Sequence, residues 1–128
     1  MFRTIKNFIH RGRYGWAYDD CVDGDRYLGE VISGMVRALA KIKMGCPPDL
    51  YDKTCKNDEC HRWKETLEEM AQGFEAAEQM KTMSFSYMWE KQGDIYDSKI
   101  KIEKQKQLAE KFDRGMKLFS KYFLNLWD

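Results

Sequence analysis

Apolar residues recur at helical spacing in three long segments of the chain. In each segment the steps between them alternate between four and three residues, or nearly so, whereas a half-buried strand would alternate every second residue. The pattern predicts three amphipathic helices with one shared interior, and hence an all-α fold. The predicted core faces are Leu28, Ile32, Met35, Leu39 and Ile42 in residues 27–42, Trp63, Leu67, Met70, Phe74 and Ala77 in the second helix, and Leu108, Phe112, Met116, Phe119, Phe123 and Leu126 in the third.

The first of these segments is predicted to be the central helix. The acidic run Asp23-Gly-Asp25 offers capping oxygens at its start, and Gly45-Cys-Pro47-Pro48 ends it. Small residues at Gly29, Ser33, Gly34 and Ala38 would let a second backbone approach closely. Gly73 in the second helix carries an intrinsic cost of about 1 kcal/mol relative to alanine, so we expect a neighbouring element to use the space.

The remaining segments are less regular. Residues 1–10 are predicted to form a short amphipathic basic helix that docks against the domain. Residues 11–16 are predicted to form an ordered loop. The second helix should end near Met80, and the Met- and aromatic-rich connector 81–94 is read as a short helix or folded loop. Residues 97–107 fit either a solvated first half of the last helix or a poorly ordered connector. The predicted architecture is a compact bundle of three main helices with a short N-terminal helix.

Composition limits the possibilities further. A chain of 128 residues is one domain by size, 1–128, and its 43% apolar content is that of an ordinary globular protein. The net charge of +1 offers no overall field for nucleic acid. The charge is uneven, however, because residues 1–14 are basic and residues 19–30 are acidic. We expect these two segments to attract each other and to dock the N-terminus.

No apolar run is long enough for a membrane span, and no export signal is recognised, so we expect an intracellular protein with no membrane partner. The four cysteines are then predicted to be free thiols rather than disulfide-bonded, since the cytosol keeps thiols reduced. Zinc is the alternative, because three of these cysteines and one histidine supply four suitable ligands, although their spacing does not match paired knuckles. That set is Cys46, Cys55, Cys60 and His61.

Two clusters could bind a partner. Methionine and aromatic side chains crowd the connector, and we expect Met88 and Trp89 either to contribute an apolar patch of the kind interfaces use or to fill the core. Near the N-terminus, cations alternate with aromatic rings and could hold a phosphate or an acidic protein surface. The five acids that follow compete with phosphate, so nucleic acid is not the expected partner. This second cluster is Arg11, Arg13, Tyr14 and Trp16.

The alternative to a binding protein is a small-nucleotide binder or a magnesium-dependent nucleotide hydrolase. Carboxylates spaced three or four residues apart on helices share a face, and two such pairs can hold Mg²⁺. The candidate magnesium ligands are Glu65, Glu69, Glu110 and Asp113. No phosphate-binding loop or hydrolase motif accompanies them. We therefore expect no catalytic residues and no cofactor.

Several short motifs follow one another along the chain. They are Arg13-Tyr-Gly-Trp16, Asp25-x-Tyr-Leu-x-x-Val-Ile-x-Gly34, Gly45-Cys-Pro47, Trp63, Ala71-x-Gly-Phe74 and Phe123-x-x-Leu-Trp-Asp128. This order resembles a family of small bacteriophage proteins. The resemblance covers the chain outside residues 81–107, and it carries no residue roles. It implies a phage protein in the host cytoplasm with an accessory role such as host takeover or counter-defence.

We therefore expect a non-enzymatic helical protein that binds a host or phage protein and could also form a homo-oligomer.

Overall fold

The protein is helical throughout its regular structure. A computed structural model describes residues 1–42, 45–89 and 95–126, and within these the side chains of 85–89 and 95–98 lie outside the description. The predicted all-α bundle is confirmed, and no strand occurs in these ranges. The helices are α1 (Phe2–Tyr14), α2 (Gly24–Lys41), α3 (His61–Trp89) and α4 (Ile95–Tyr122), with 3-10 helices at Tyr18–Asp23, Pro48–Leu50 and Phe123–Asn125.

Helices α3 and α4 form an antiparallel pair. Early residues of α3 meet late residues of α4, as in the edge-on ring contact of Trp63 with Tyr122 at 5.5 Å between centroids. Further along, Gly73 lies directly against Gly115, and a Cβ added to either residue would come within 2.7 Å of the other's Cα. The prediction that Gly73 makes room for a neighbour is confirmed. Two glycines at the crossing let the two backbones touch.

Helix α2 packs on the other side of α3 through small residues. Gly29, Ser33 and Val36 are its buried residues, and the Ser33 hydroxyl donates to the Gly29 carbonyl at 2.7 Å and lies 3.4 Å from the Ala71 carbonyl of α3. Close approach at Gly29 and Ser33 is therefore confirmed. Gly34 faces away, since nothing lies within 4 Å of a Cβ added there.

The predicted core face of α2 is wrong for three of its five residues. Ile32 and Leu39 pack against the core, but Leu28, Met35 and Ile42 are 58%, 67% and 45% exposed. The apolar sector of α2 is wider than one neighbour can cover. Because the small residues allow the closest approach to α3, they form the contact face and the larger side chains turn outward.

An ion-pair network joins α2 to α3. The Arg37 guanidinium donates to Glu68 at 2.9 and 3.1 Å and also pairs with Glu75. These hydrogen bonds raise the Arg37 pKa above its ordinary value and lower that of Glu68. At the start of α2, Asp23 and Asp25 accept from Lys81 at 2.9 and 3.0 Å. Asp23 makes no side-chain cap, so its predicted capping role is wrong. Its carboxylate binds Lys81 of α3 instead.

The core lies where α2, α3 and the end of α4 meet. Leu67 and Met70 are its largest fully buried side chains, and Tyr122 closes it from α4. The Tyr122 hydroxyl donates to Asp49 at 2.7 Å, which fastens the loop after α2 to the end of α4. The predicted face of α4 is confirmed at Leu126, which packs against the core, and is wrong at Phe123, which is 58% exposed just after the helix ends at Tyr122.

The first part of the predicted connector 81–94 is helical, and residues 90–94 lie outside the described residues. Helix α3 continues nine residues past Met80 to Trp89, so the backbone of 81–89 is a direct extension of the helix. Residues 97–107 are helical, which agrees with the first of the two predictions for that segment, a solvated first half of the last helix. Their outer positions Ile100 and Ile102 are exposed, consistent with a solvated half of α4.

The prediction of four free thiols is wrong for two cysteines. Cys46 and Cys60 form a disulfide, with Cα atoms 5.6 Å apart. The loop between them folds back so that its first cysteine reaches the residue before α3, which a sequence separation of 14 does not reveal. Cys21 and Cys55 are free. Two of the four proposed zinc ligands are thus used in the disulfide.

Candidate interaction surface on the N-terminal helix

Helix α1 is longer than predicted and ends at a glycine. Four residues of the expected loop 11–16 are helical, and Gly15 ends the helix with φ 79°, a left-handed conformation that favours glycine. Its amide bonds back to the Arg11 carbonyl at 2.8 Å. The Gly15 carbonyl accepts from the Tyr27 hydroxyl at 2.6 Å, which ties the turn to α2.

One face of α1 is polar and binds the 3-10 helix Tyr18–Asp23, called here the acidic 3-10 helix. Arg3 donates to Asp19 at 2.5 and 3.1 Å, and Arg11 donates to Asp20 at 2.9 Å. Asn7, one turn after Arg3, also donates to Asp19. The expected attraction between the basic and acidic segments is confirmed, and it holds α1 through charged and polar side chains.

The same junction contains a cluster of rings around His10. The His10 ring lies 4.5 Å from Tyr14, 4.7 Å from Trp16 and 5.2 Å from Tyr18, measured between centroids. Its Nδ1 is 2.5 Å from the Trp16 carbonyl oxygen, and because a carbonyl can only accept, Nδ1 carries a proton. The rings pack the turn between α1 and the acidic 3-10 helix.

The opposite face of α1 is apolar and uncovered. No residue of α1 is buried. A soluble helix normally turns its apolar stripe inward, so α1 is oriented the other way round from the expected docking. The four residues of this α1 apolar face are Phe2 (83% exposed), Ile5 (49%), Phe8 (77%) and Ile9 (61%).

A cationic border runs beside the α1 apolar face. Lys6 and Arg13 line an open groove together with Phe2, Ile9 and Tyr18. The Arg13 guanidinium lies 5.3 Å from the centre of the Tyr14 ring, a cation–π distance. Arg3 and Arg11 are engaged with aspartates, whereas Lys6 and Arg13 border the apolar face.

Acidification is expected to release α1 from the acidic 3-10 helix. The guanidinium of Arg3 holds the pKa of Asp19 below its ordinary value, and Arg11 does the same for Asp20. A depressed carboxyl pKa contributes stability above the ordinary aspartate pKa, and the contribution is lost as pH falls through the depressed value. We expect the backbone NMR shifts of residues 2–14 to move below about pH 4.

The matched control for this titration is the pair of substitutions Asp19→Asn and Asp20→Asn. It should show the released shifts already at neutral pH and no further transition in α1. Shifts of α1 that stay constant to the point of global unfolding would contradict the role of these ion pairs.

Only some of the site residues that were predicted from the sequence lie together in the structure. Arg11 forms an ion pair with Asp20. Arg13, Tyr14 and Trp16 lie together around the turn after α1, where Tyr14 is 55% and Trp16 40% exposed. The side chains of Met88 and Trp89 lie outside the described residues, so the predicted patch on α3 stays a prediction. What the sequence analysis missed is the exposure of Phe2, Ile5, Phe8 and Ile9. Their spacing was visible, but not the direction in which they point.

The four candidate magnesium ligands are all exposed. Asp113 pairs with Lys117 one turn away at 2.7 Å. In the described ranges no three His, Cys, Asp or Glu side chains lie together in a group that could hold a metal ion. Glu65, Glu69, Glu110 and Asp113 are therefore exposed carboxylates, and no three of them lie together in such a group.

Comparisons with protein-family models, curated proteins and solved structures find no match for this chain. Among the described residues, none of the helices combines the length and apolar character that crossing a membrane requires.

Proposed function

We propose that this is a non-enzymatic phage accessory protein that binds a host or phage protein through the α1 apolar face. The observation that carries the proposal is the orientation of α1, which is attached by its polar side and leaves four large apolar side chains in solvent. A contiguous apolar patch with a polar border is typical of an interaction site.

The spacing of the exposed residues suits a groove in a partner protein. Phe2, Ile5 and Ile9 follow one another at three and four residues, the spacing of the anchor positions of a helix bound in a hydrophobic groove. Phe8 widens the same face. Because Arg3 and Arg11 already hold the helix in place, little conformational freedom is lost on binding.

The cations beside the face indicate the chemistry of the partner. Lys6 and Arg13 border the apolar residues, so a groove with an acidic rim would complement them. A lipid surface would also accept an amphipathic helix, but stable membrane attachment generally requires a larger apolar or cationic contribution than two cations and three turns. A protein groove is therefore the partner we propose.

Phage origin and a role in host takeover or counter-defence rest on the motif resemblance alone. Accessory proteins of this kind act by occupying a surface on another protein, which needs no catalytic constellation. An amphipathic helix that ion pairs hold on a small helical bundle is sufficient for that task.

Capture from bacterial lysate tests the proposal. We expect immobilised protein to retain a specific partner, identified by mass spectrometry, and the double substitution Ile5→Glu and Ile9→Glu to reduce its recovery at least about tenfold, because a charge buried without a counter-charge is strongly unfavourable. Leu124→Glu is the matched control, since Leu124 is 84% exposed on the last 3-10 helix.

The control should retain the partner, and both variants should keep the helical circular dichroism of the wild type. Equal recovery by the double variant and the wild type would overturn the assignment to α1. Binding of purified protein to anionic vesicles with no protein partner recovered would also overturn it in favour of a membrane surface.

A further inference from the structure

A second uncovered surface lies on α2 and follows a heptad pattern. Leu28, Val31, Met35 and Ala38 are separated by three, four and three residues, and Ile42 continues the series after the helix ends. All five are exposed, with Met35 at 67% and Leu28 at 58%. We call this row the α2 seam. Alternating steps of three and four are the pattern by which one helix packs along another.

The α2 seam is shaped for close contact with a helix. Ala38 belongs to the row, and Gly34 lies beside it one turn earlier. Nothing is within 4 Å of a Cβ added at Gly34. The chain thus uses one small pair, Gly29 and Ser33, for α3 and leaves the second pair on the surface. Small residues at a crossing point let two helix backbones approach.

Most charged residues of α2 lie outside the seam and pair with other charges of the chain. Arg26 pairs with Glu30 at 3.1 Å and lies 3.8 Å from Glu78. Arg37 is engaged by two glutamates of α3. The seam itself contains no charged residue, so two identical copies can meet along it without like charges facing each other.

We propose that the α2 seam is the interface of a homodimer, in which α2 of one copy packs on α2 of a second copy across a two-fold axis. A neutral apolar heptad row is complementary to itself, and a two-fold interface uses the same patch on both subunits. The α1 apolar face differs, because its cationic border would repel an identical copy and suits an acidic partner. The homodimer is therefore independent of the proposed function of α1.

The extent of the surface sets the expected affinity. The row from Leu28 to Ile42 is about 21 Å long at about 1.5 Å per residue. Leu28 also lines an apolar groove with Ile32, Phe74 and Phe112, which adds contact area beside the row. A row of this length is short for a standard interface of roughly 800 Å² per partner, which places it among the weak interfaces, and we expect a dissociation constant on the order of ten micromolar.

Sedimentation equilibrium of the full chain tests the homodimer. We expect the wild type to pass from monomer to dimer between about 1 and 200 µM, and Met35→Glu to weaken association at least about 100-fold, since two carboxylates would then face each other across the axis. Leu28→Lys is a second variant at the same row. Both residues are more than half exposed in the monomer, so each variant should keep the wild-type circular dichroism.

Ile5→Glu is the matched control, an equally drastic change on the α1 apolar face, and it should dimerise like the wild type. A wild type that remains monomeric at 200 µM would overturn the proposal. So would unchanged dimerisation of both seam variants, or loss of the dimer in Ile5→Glu. Loss of partner capture with an intact dimer, or the reverse, separates this interface from the proposed function of α1.

Discussion

Replacement of Gly73 with alanine is expected to destabilise the protein by roughly 2–3 kcal/mol, in the range measured for overpacked interiors. The added Cβ would come within 2.7 Å of the Gly115 Cα and 3.3 Å of the Lys111 carbonyl oxygen. Both are backbone atoms of α4, so no side chain can rotate away to relieve the contact. Helices α3 and α4 would have to separate along part of their length, which loosens the core. The measurement is the free energy of unfolding in urea.

Gly24→Ala is the matched control, because Gly24 is helical and nothing lies within 4 Å of a Cβ added there. Its free energy of unfolding should stay within about 1 kcal/mol of the wild type, with any change toward higher stability. If both alanine variants are equally stable, then α3 and α4 do not cross at these glycines.

Replacement of Leu67 with alanine is expected to have the largest effect of a single side chain, about 2–5 kcal/mol of lost stability. Leu67 is fully buried on α3, in the cluster that includes Val36 of α2 and Tyr122 of α4. Removing its side chain takes packing contacts away from this cluster and leaves a cavity that close-packed neighbours cannot fill. Urea unfolding, followed by circular dichroism, gives the change directly.

The comparison for this substitution is Leu124→Ala. Leu124 has the same side chain but is 84% exposed, so the free energy of unfolding should change by less than about 0.5 kcal/mol. Equal losses in the two variants would mean that the core does not lie where α2, α3 and α4 meet.

Much of the fold could be predicted from the spacing of apolar residues. Trp63, Leu67 and Met70 on α3 and Leu108 on α4 are buried as expected, because each lies on the apolar stripe of a long amphipathic helix. Gly73 was expected to make room for a neighbour, since a glycine inside a helix is costly without such a reason, and Gly115 occupies that room.

Other features could not be predicted, because they depend on which neighbour is present. The apolar sector of α2 is wide, and only its packing on α3 decides that Ser33 is buried while Met35 is exposed. The Cys46–Cys60 disulfide depends on the path of an irregular loop that has no periodic pattern. In both cases the local sequence permits more than one outcome.

The candidate interaction surface was likewise predicted only in part. The basic segment of α1 and the acidic segment after it were expected to attract, and Arg3 and Arg11 pair with Asp19 and Asp20. The apolar side of α1 was expected to be the docked side. Instead, ion pairs hold the polar side of α1 against the acidic 3-10 helix. Because a helix cannot turn both faces toward one neighbour, the apolar side stays in solvent.

By itself the sequence determined the helical class, the segments that form the three main helices and the attraction of the N-terminus to the residues that follow it. These depend on local periodicity and on the sign of nearby charges, which the order of residues contains directly. Only the tertiary structure decided which apolar residues remain in solvent, among them Phe2 and Phe8 of α1 and Leu28 and Met35 of α2. That outcome depends on how closely helices distant in sequence can approach, and steric fit between them acts only once the chain has folded.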